Sequence, residues 1–164
     1  MNKKRLQSLV FNNFQLPITL FIIANLSACV ATTQTNHRSI KQPLQADLIC
    51  TNVEKHANQV VGDGHCVSLI KQCSGAPPTK HWKPGEQVLG STLHAGTVIA
   101  TFKNGRYPNE TSHHAAIYIK QDKHGIWVWD QWLGKKVHKR LIRIRSDGAA
   151  PGNTAQAYRV VRIK

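Results

Sequence analysis

The sequence predicts an α+β domain in which helices come first and an antiparallel β-sheet follows. Two helix-length stretches, 48–61 and 65–73, open the folded part and are separated by Gly62-Asp63-Gly64. Five runs rich in β-branched, aromatic and aliphatic residues follow from position 97 onward. The connections between those runs are short enough for antiparallel neighbours, which is the segregated arrangement of an α+β domain.

The domain is expected to begin near Asp47. The first helix is placed over 48–61, and the glycine-broken turn then leads into the helix at 65–73. Ser74-Gly75 with Pro77 and Pro78 behind it is a stop signal, because glycine closes a helix and proline cannot continue it. Residues 76–90 are assigned to a loop that holds Trp82, Pro84 and Gly85. Thr97 to Phe102 is the first strand, and Lys103-Asn104-Gly105-Arg106 turns the chain. Strands follow at 115–119, 125–130, 137–144 and 157–163, with 121–125 as a hairpin-length link.

Ahead of this domain stands a leader. Lys3, Lys4 and Arg5 form a basic start, 16–26 is mostly apolar, and Leu26-Ser27-Ala28-Cys29 follows. The apolar stretch falls short of the roughly 20 residues that a transmembrane helix needs. The pattern resembles a bacterial lipoprotein signal peptide, which implies removal of 1–28 and acylation of Cys29. Val30, rather than an aspartate, after that cysteine implies sorting to the outer membrane. Residues 29–46 are polar and aperiodic and read as the lipidated cysteine with a flexible tether, leaving 47–164 as the functional domain.

The 164-residue chain has a formal net charge of +14. Without the three leader cations, 19 basic residues stand against 8 acidic ones, about +11. Such a charge favours anionic partners. An exported protein meets wall carboxylates and acidic head groups rather than nucleic acid, so no nucleic-acid partner is expected.

The chemistry-bearing feature is Cys66 in Gly62-Asp63-Gly64-His65-Cys66-Val67-Ser68-Leu69. A cysteine attacks as its thiolate, and both a helix N-terminus and a nearby imidazolium lower a thiol's pKa. Gly64 and His65 form the turn whose backbone N–H groups are candidates to hold an oxyanion. His114 opens the strand Ala115-Ala116-Ile117-Tyr118 and suits a base toward the thiol and an acid toward a leaving amine. Asp130 ends the next strand and suits the orienting partner of that imidazole, with Gln131 in reserve. His113 competes with His114 but is read as a solvent-side flank, and His65 as a surface residue. By alternation Trp127 and Trp129 share one strand face and are assigned to the core, which leaves Trp132 as the substrate-groove aromatic.

These three segments, in this order, resemble the NlpC-like and CHAP peptidoglycan amidases, and within them the small group related to type VI secretion amidase effectors. The resemblance covers about 50–163. It implies a papain-like NlpC-type fold and a cysteine hydrolase that cuts peptidoglycan stem peptides without metal or cofactor. It implies Cys66 as nucleophile, His114 as base and Asp130 as orienter. Effectors of that group carry no signal peptide. The leader here therefore favours a resident periplasmic enzyme, or a captured toxin that would have an immunity protein as partner. An inactive wall-binding module and an acyltransferase or thioesterase are alternatives on the same residues. The bond cut is either D-glutamate to the diamino acid or the diamino acid to D-alanine, and loop 76–96 is expected to select it.

In an oxidising compartment the other cysteines call for a bridge. Cys66 and Cys73 are about 10 Å apart along a helix at ~1.5 Å per residue, too far to join. Cys50 begins the first expected helix and Cys73 ends the second, so antiparallel helices would make Cys50 and Cys73 neighbours. None of the nine histidines has the spacing of a compact metal motif, so no metal site is expected.

Overall fold

The computed structural model describes residues 42–164. The leader at 1–28, the acylation site Cys29 and most of the tether lie outside the described residues. Where description begins, the Leu44 N–H already donates to the Thr92 carbonyl at 2.8 Å, and Asp47 accepts the Ile163 N–H at 2.8 Å.

One α-helix, α1 (Cys66–Ser74), packs on a six-stranded antiparallel sheet. The strands are β1 (Trp82–Gln87), β2 (Val98–Thr101), β3 (Ala115–Asp122), β4 (Gly125–Trp132), β5 (Lys135–Arg143) and β6 (Tyr158–Ile163), in the order β1-β6-β2-β3-β4-β5. The expected meander is present from β2 to β5, and β6 inserts between β1 and β2. The described residues are therefore mostly antiparallel sheet with a single α-helix, rather than a sheet preceded by two helices.

The expected first helix does not form. Residues 48–52 are not helical, Ile49 is bridged to Thr97, and within 48–61 only Val53–His56 makes a 3-10 turn. The Cys50 N–H donates to the Gly96 carbonyl at 2.9 Å, so this backbone is tied to the strand side rather than to a helical turn. Asn58, at φ 63°, then takes the left-handed conformation that ends any helical path. The loop assigned to 76–90 contains β1, which tolerates Pro84 because it is an edge strand paired only with β6.

The helix forms where glycine and proline signals bound it. Its last turn closes on Gly75, at φ 69°, whose N–H returns to the Lys71 carbonyl. Leu69 and Ile70 are fully buried against the sheet, each contributing roughly 1.5–3 kcal/mol. Strand alternation splits the core into two. Val98, Ala100, Ala115 and Ile117 face α1 with Trp82 and Val161. Ile99, Ala116, Tyr118, Ile126, Val128 and Val160 fill the opposite face.

Cys50 and Cys73 are disulfide-bonded, with Cα atoms 5.2 Å apart and a sequence separation of 23. The bridge joins the extended entry segment to the end of α1. It works chiefly by limiting the unfolded chain, and a loop of this length is worth about 3 kcal/mol. Replacing both cysteines by alanine should lower unfolding free energy by that amount in a denaturant titration. An unchanged midpoint would contradict it.

Candidate active site

The turn before α1 is built to present Cys66. Gly62 (φ 58°) and Gly64 (φ 84°) occupy left-handed backbone that a side chain would strain. Asp63 Oδ1 accepts the His65 N–H at 3.0 Å and the Ser68 hydroxyl at 2.6 Å, closing the turn onto the first helical turn. Gln131, fully buried on β4, straps this turn to the sheet. Its amide accepts the Val61 N–H at 2.9 Å and donates to the Val61 and His65 carbonyls at 2.8 and 2.9 Å. Gln131 thus holds the turn before Cys66, and its side-chain hydrogen bonds go to Val61 and His65 rather than to His114.

His114 enters β3 under tight control. Its N–H donates to the Thr101 hydroxyl at 3.0 Å, and Gly152 lies directly behind its ring stem. A Cβ on Gly152 would stand 2.9 Å from His114 Cβ, so only glycine lets this loop close. His114 Nε2 lies 3.0 Å from Asp130 Oδ2, which leaves Nδ1 to face the Cys66 thiol. Asp130 is fully buried, although its strand neighbour Trp132 is 39% exposed. Asp130 and Trp132 are two residues apart on β4 and so share a strand face, Trp132 lining the cleft and Asp130 buried behind His114.

Asp130 also pairs with Arg140, whose Nε and Nη2 lie 2.8 and 2.7 Å from Oδ2. Arg140 goes on to donate to Asn153 Oδ1 at 3.2 Å and stacks 5.2 Å from the Trp132 ring centre. Trp132 in turn lies edge-on to His114 and His138. These groups open on a cleft of about 970 Å³. Its walls come from the α1 turn, from 107–114, from Trp132 and Leu133, and from 150–153. Loop 76–96 contributes only Thr79, so the segment 107–114 takes the wall position expected of that loop.

The electrostatics favour an ion pair. Burial pushes the Cys66 thiol up, but the hydrogen bond and charge of His114, the Tyr107 hydroxyl and the Ala115 N–H outweigh it, and the thiol is held below its ordinary 9.0. Burial works against a charged His114 as well. The hydrogen bond to Asp130 and the facing Cys66 overcome that cost and push His114 up to about 9. Between the lowered thiol value and about 9, both groups are charged. The alkylation rate of Cys66 against pH should therefore inflect below 9.0, and His114→Ala should move the inflection upward. Identical inflections in the two proteins, followed by mass spectrometry, would count against the pair.

Several placements differ from the sequence expectation. The Gly64 N–H donates to the Val61 carbonyl at 3.1 Å and the His65 N–H to Asp63, so neither is free for an oxyanion. The donors that remain at this helix end are those of Cys66 and Val67. His113 is not a solvent-side flank. Its side chain is 6% exposed, with Nδ1 3.0 Å from the Thr101 hydroxyl. Trp82, read as part of a loop, is fully buried in the core. Among the described residues, no three His, Cys, Asp or Glu side chains converge as metal ligands.

The family model for domesticated amidase effector 2 matches residues 39–161. The chain belongs to that family. It is similar to a type VI secretion amidase effector 2 protein of Salmonella typhi, 45% identical over 62% of this chain and 87% of the relative. It is also similar to domesticated amidase effector 2 of Ixodes scapularis, 36% identical over 58% of this chain and 69% of that protein. A solved structure of type 6 secretion amidase effector 2 superposes with a TM-score of 0.62 at 39% identity. It covers 71% of this chain and 94% of the solved one. Within this amidase effector family fold, Tyr107, Arg140 and Gly152 are among the site residues that sequence reasoning passed over. Arg140 lay inside the strand expected at 137–144 with nothing to mark it, and Gly152 carried no local signal.

Proposed function

We propose that the protein is a cysteine amidase of peptidoglycan stem peptides, with the papain-type arrangement of a nucleophile on a helix end and its partners on adjacent strands. The observation that carries this reading is Cys66 at the start of α1 beside His114, whose Nε2 lies 3.0 Å from buried Asp130. The Cys66 thiolate attacks the amide carbonyl, forming a C–S bond as the carbonyl electron pair moves to oxygen. Collapse breaks the C–N bond, and the imidazolium of His114 gives its proton to the leaving amine. Water, deprotonated by His114, then hydrolyses the thioester and frees the thiolate. Asp130 holds His114 in the tautomer that keeps Nδ1 toward sulfur. Membership of the amidase effector family supports the same reaction class.

In this reading 1–28 is a lipoprotein signal peptide, Cys29 anchors the mature chain to the outer membrane, and 29–46 tethers the domain at 47–164 in the periplasm. The positive charge of the chain favours a carboxylate-rich wall. The Salmonella relative's name as a type VI secretion effector supports a second reading, an antibacterial amidase with an immunity protein. The first reading is tested by incubating residues 30–164 with purified Gram-negative peptidoglycan and separating the products by chromatography with mass spectrometry. New muropeptides are expected, and their masses name the bond. A folded domain with a reactive thiol and no products would overturn the substrate assignment.

A further inference from the structure

Tyr107 lies between β2 and β3, outside every motif that located the site, yet its hydroxyl is 3.5 Å from Cys66 Sγ. The ring is packed edge-on against Trp82, with centroids 5.3 Å apart, and against Phe102 at 6.5 Å. It belongs to the wall of the cleft, and among the described residues the sulfur is the only hydrogen-bond partner of its hydroxyl. A thiol is a weak acceptor. If the position served packing alone, phenylalanine would fill the same slot between Trp82 and Phe102 without burying a poorly matched hydroxyl.

We propose that Tyr107 is a catalytic residue, its hydroxyl donating first to the Cys66 thiolate and then to the oxyanion of the tetrahedral intermediate. This rests on the cysteine amidase reading above. A thiolate has no proton to give, so in the charged state the phenol is necessarily the donor. Attack moves the negative charge from sulfur to an oxygen two bonds away, on the carbon that has just bonded to Sγ. A donor already touching Sγ follows that charge with a small rotation. It works beside the backbone N–H of Cys66, a first-turn donor with no partner inside the helix. The need for a side-chain donor is explained by the turn itself, since Gly64 and His65 spend their N–H groups on Val61 and Asp63. No proton leaves Tyr107 in any step, and burial beside the thiolate keeps its hydroxyl protonated well above the ordinary range. The proton for the leaving amine still comes from His114.

The test is Tyr107→Phe, which keeps the ring between Trp82 and Phe102 and removes only the oxygen. Loss of one oxyanion donor predicts a fall in kcat of about 10²–10³ with KM changed less than about threefold. The alkylation inflection of Cys66 should rise at the same time, because the thiolate loses a donor. A purely structural tyrosine would move neither kcat nor the inflection once folding is confirmed by circular dichroism. Unchanged kcat in the variant, with an active wild type, overturns the proposal. If the wild type cleaves no peptidoglycan, the substrate reading fails on its own, and the alkylation inflection still decides Tyr107: an unmoved inflection overturns its role.

Discussion

Cys66→Ala should lower muropeptide release by at least about 10⁴-fold while the domain stays folded. In the proposed mechanism the loss is large because covalent catalysis has no substitute at this position. The other thiols of the described domain, Cys50 and Cys73, are joined to each other, and Cys66 is the free one. His114 and Asp130 without sulfur can at most activate a water, with no acyl intermediate to divide the reaction into two easier steps. The fold should survive for equally local reasons. Cys66 is half-buried at the first position of α1, and the turn before it is held by Gln131, Asp63 and two glycines rather than by the thiol. Alanine is also the best helix former. A thermal midpoint within a few degrees of wild type, together with undetectable turnover, is the expected pair of results. Turnover within tenfold of wild type would remove Cys66 from the mechanism.

The parts of this site legible in the sequence are those set by local chemistry. Glycines around Cys66 announce a turn into a helix, and His114 and Asp130 sit at strand ends separated by a hairpin-length link. What escaped depends on long-range pairing. The stretch 48–61 has few strong helix formers, and Cys50 bonds to Gly96 and to Cys73, tertiary contacts that outweigh its weak local propensity. Strand β1 was hidden by Pro84 and Gly85, which only an edge strand accepts. Alternation does place Asp130 and Trp132, two residues apart, on one face of β4, and the extra residue at this point of the ladder lies on β5. Arg140 reaches Asp130 across the β4–β5 pair, where Asp130 stands opposite His138 and Arg140 opposite Val128. That diagonal contact follows from the register and not from any motif.

The pairing with Arg140 makes Asp130→Ala the most informative change after Cys66→Ala. Asp130 is fully buried and accepts from both His114 and Arg140 on Oδ2. Removing it leaves the imidazolium and the guanidinium facing one cavity with no anion between them. Breaking a buried pair costs 3–5 kcal/mol, and the Arg140 side chain is 21% exposed, so roughly 3 kcal/mol is expected. For a domain of this size that is on the order of 10 °C in Tm. Turnover should fall by about 10³–10⁴ as well, since His114 loses both its orientation and the partner that keeps it protonated. The two losses have different causes and are separable. In Asp130→Ala with Arg140→Leu, the stranded cation is gone and an apolar side chain fills the space, so most of the Tm should return. Turnover should not return, because nothing orients His114. Recovery of activity along with stability would mean that Asp130 serves the fold alone and that His114 works without an orienting carboxylate.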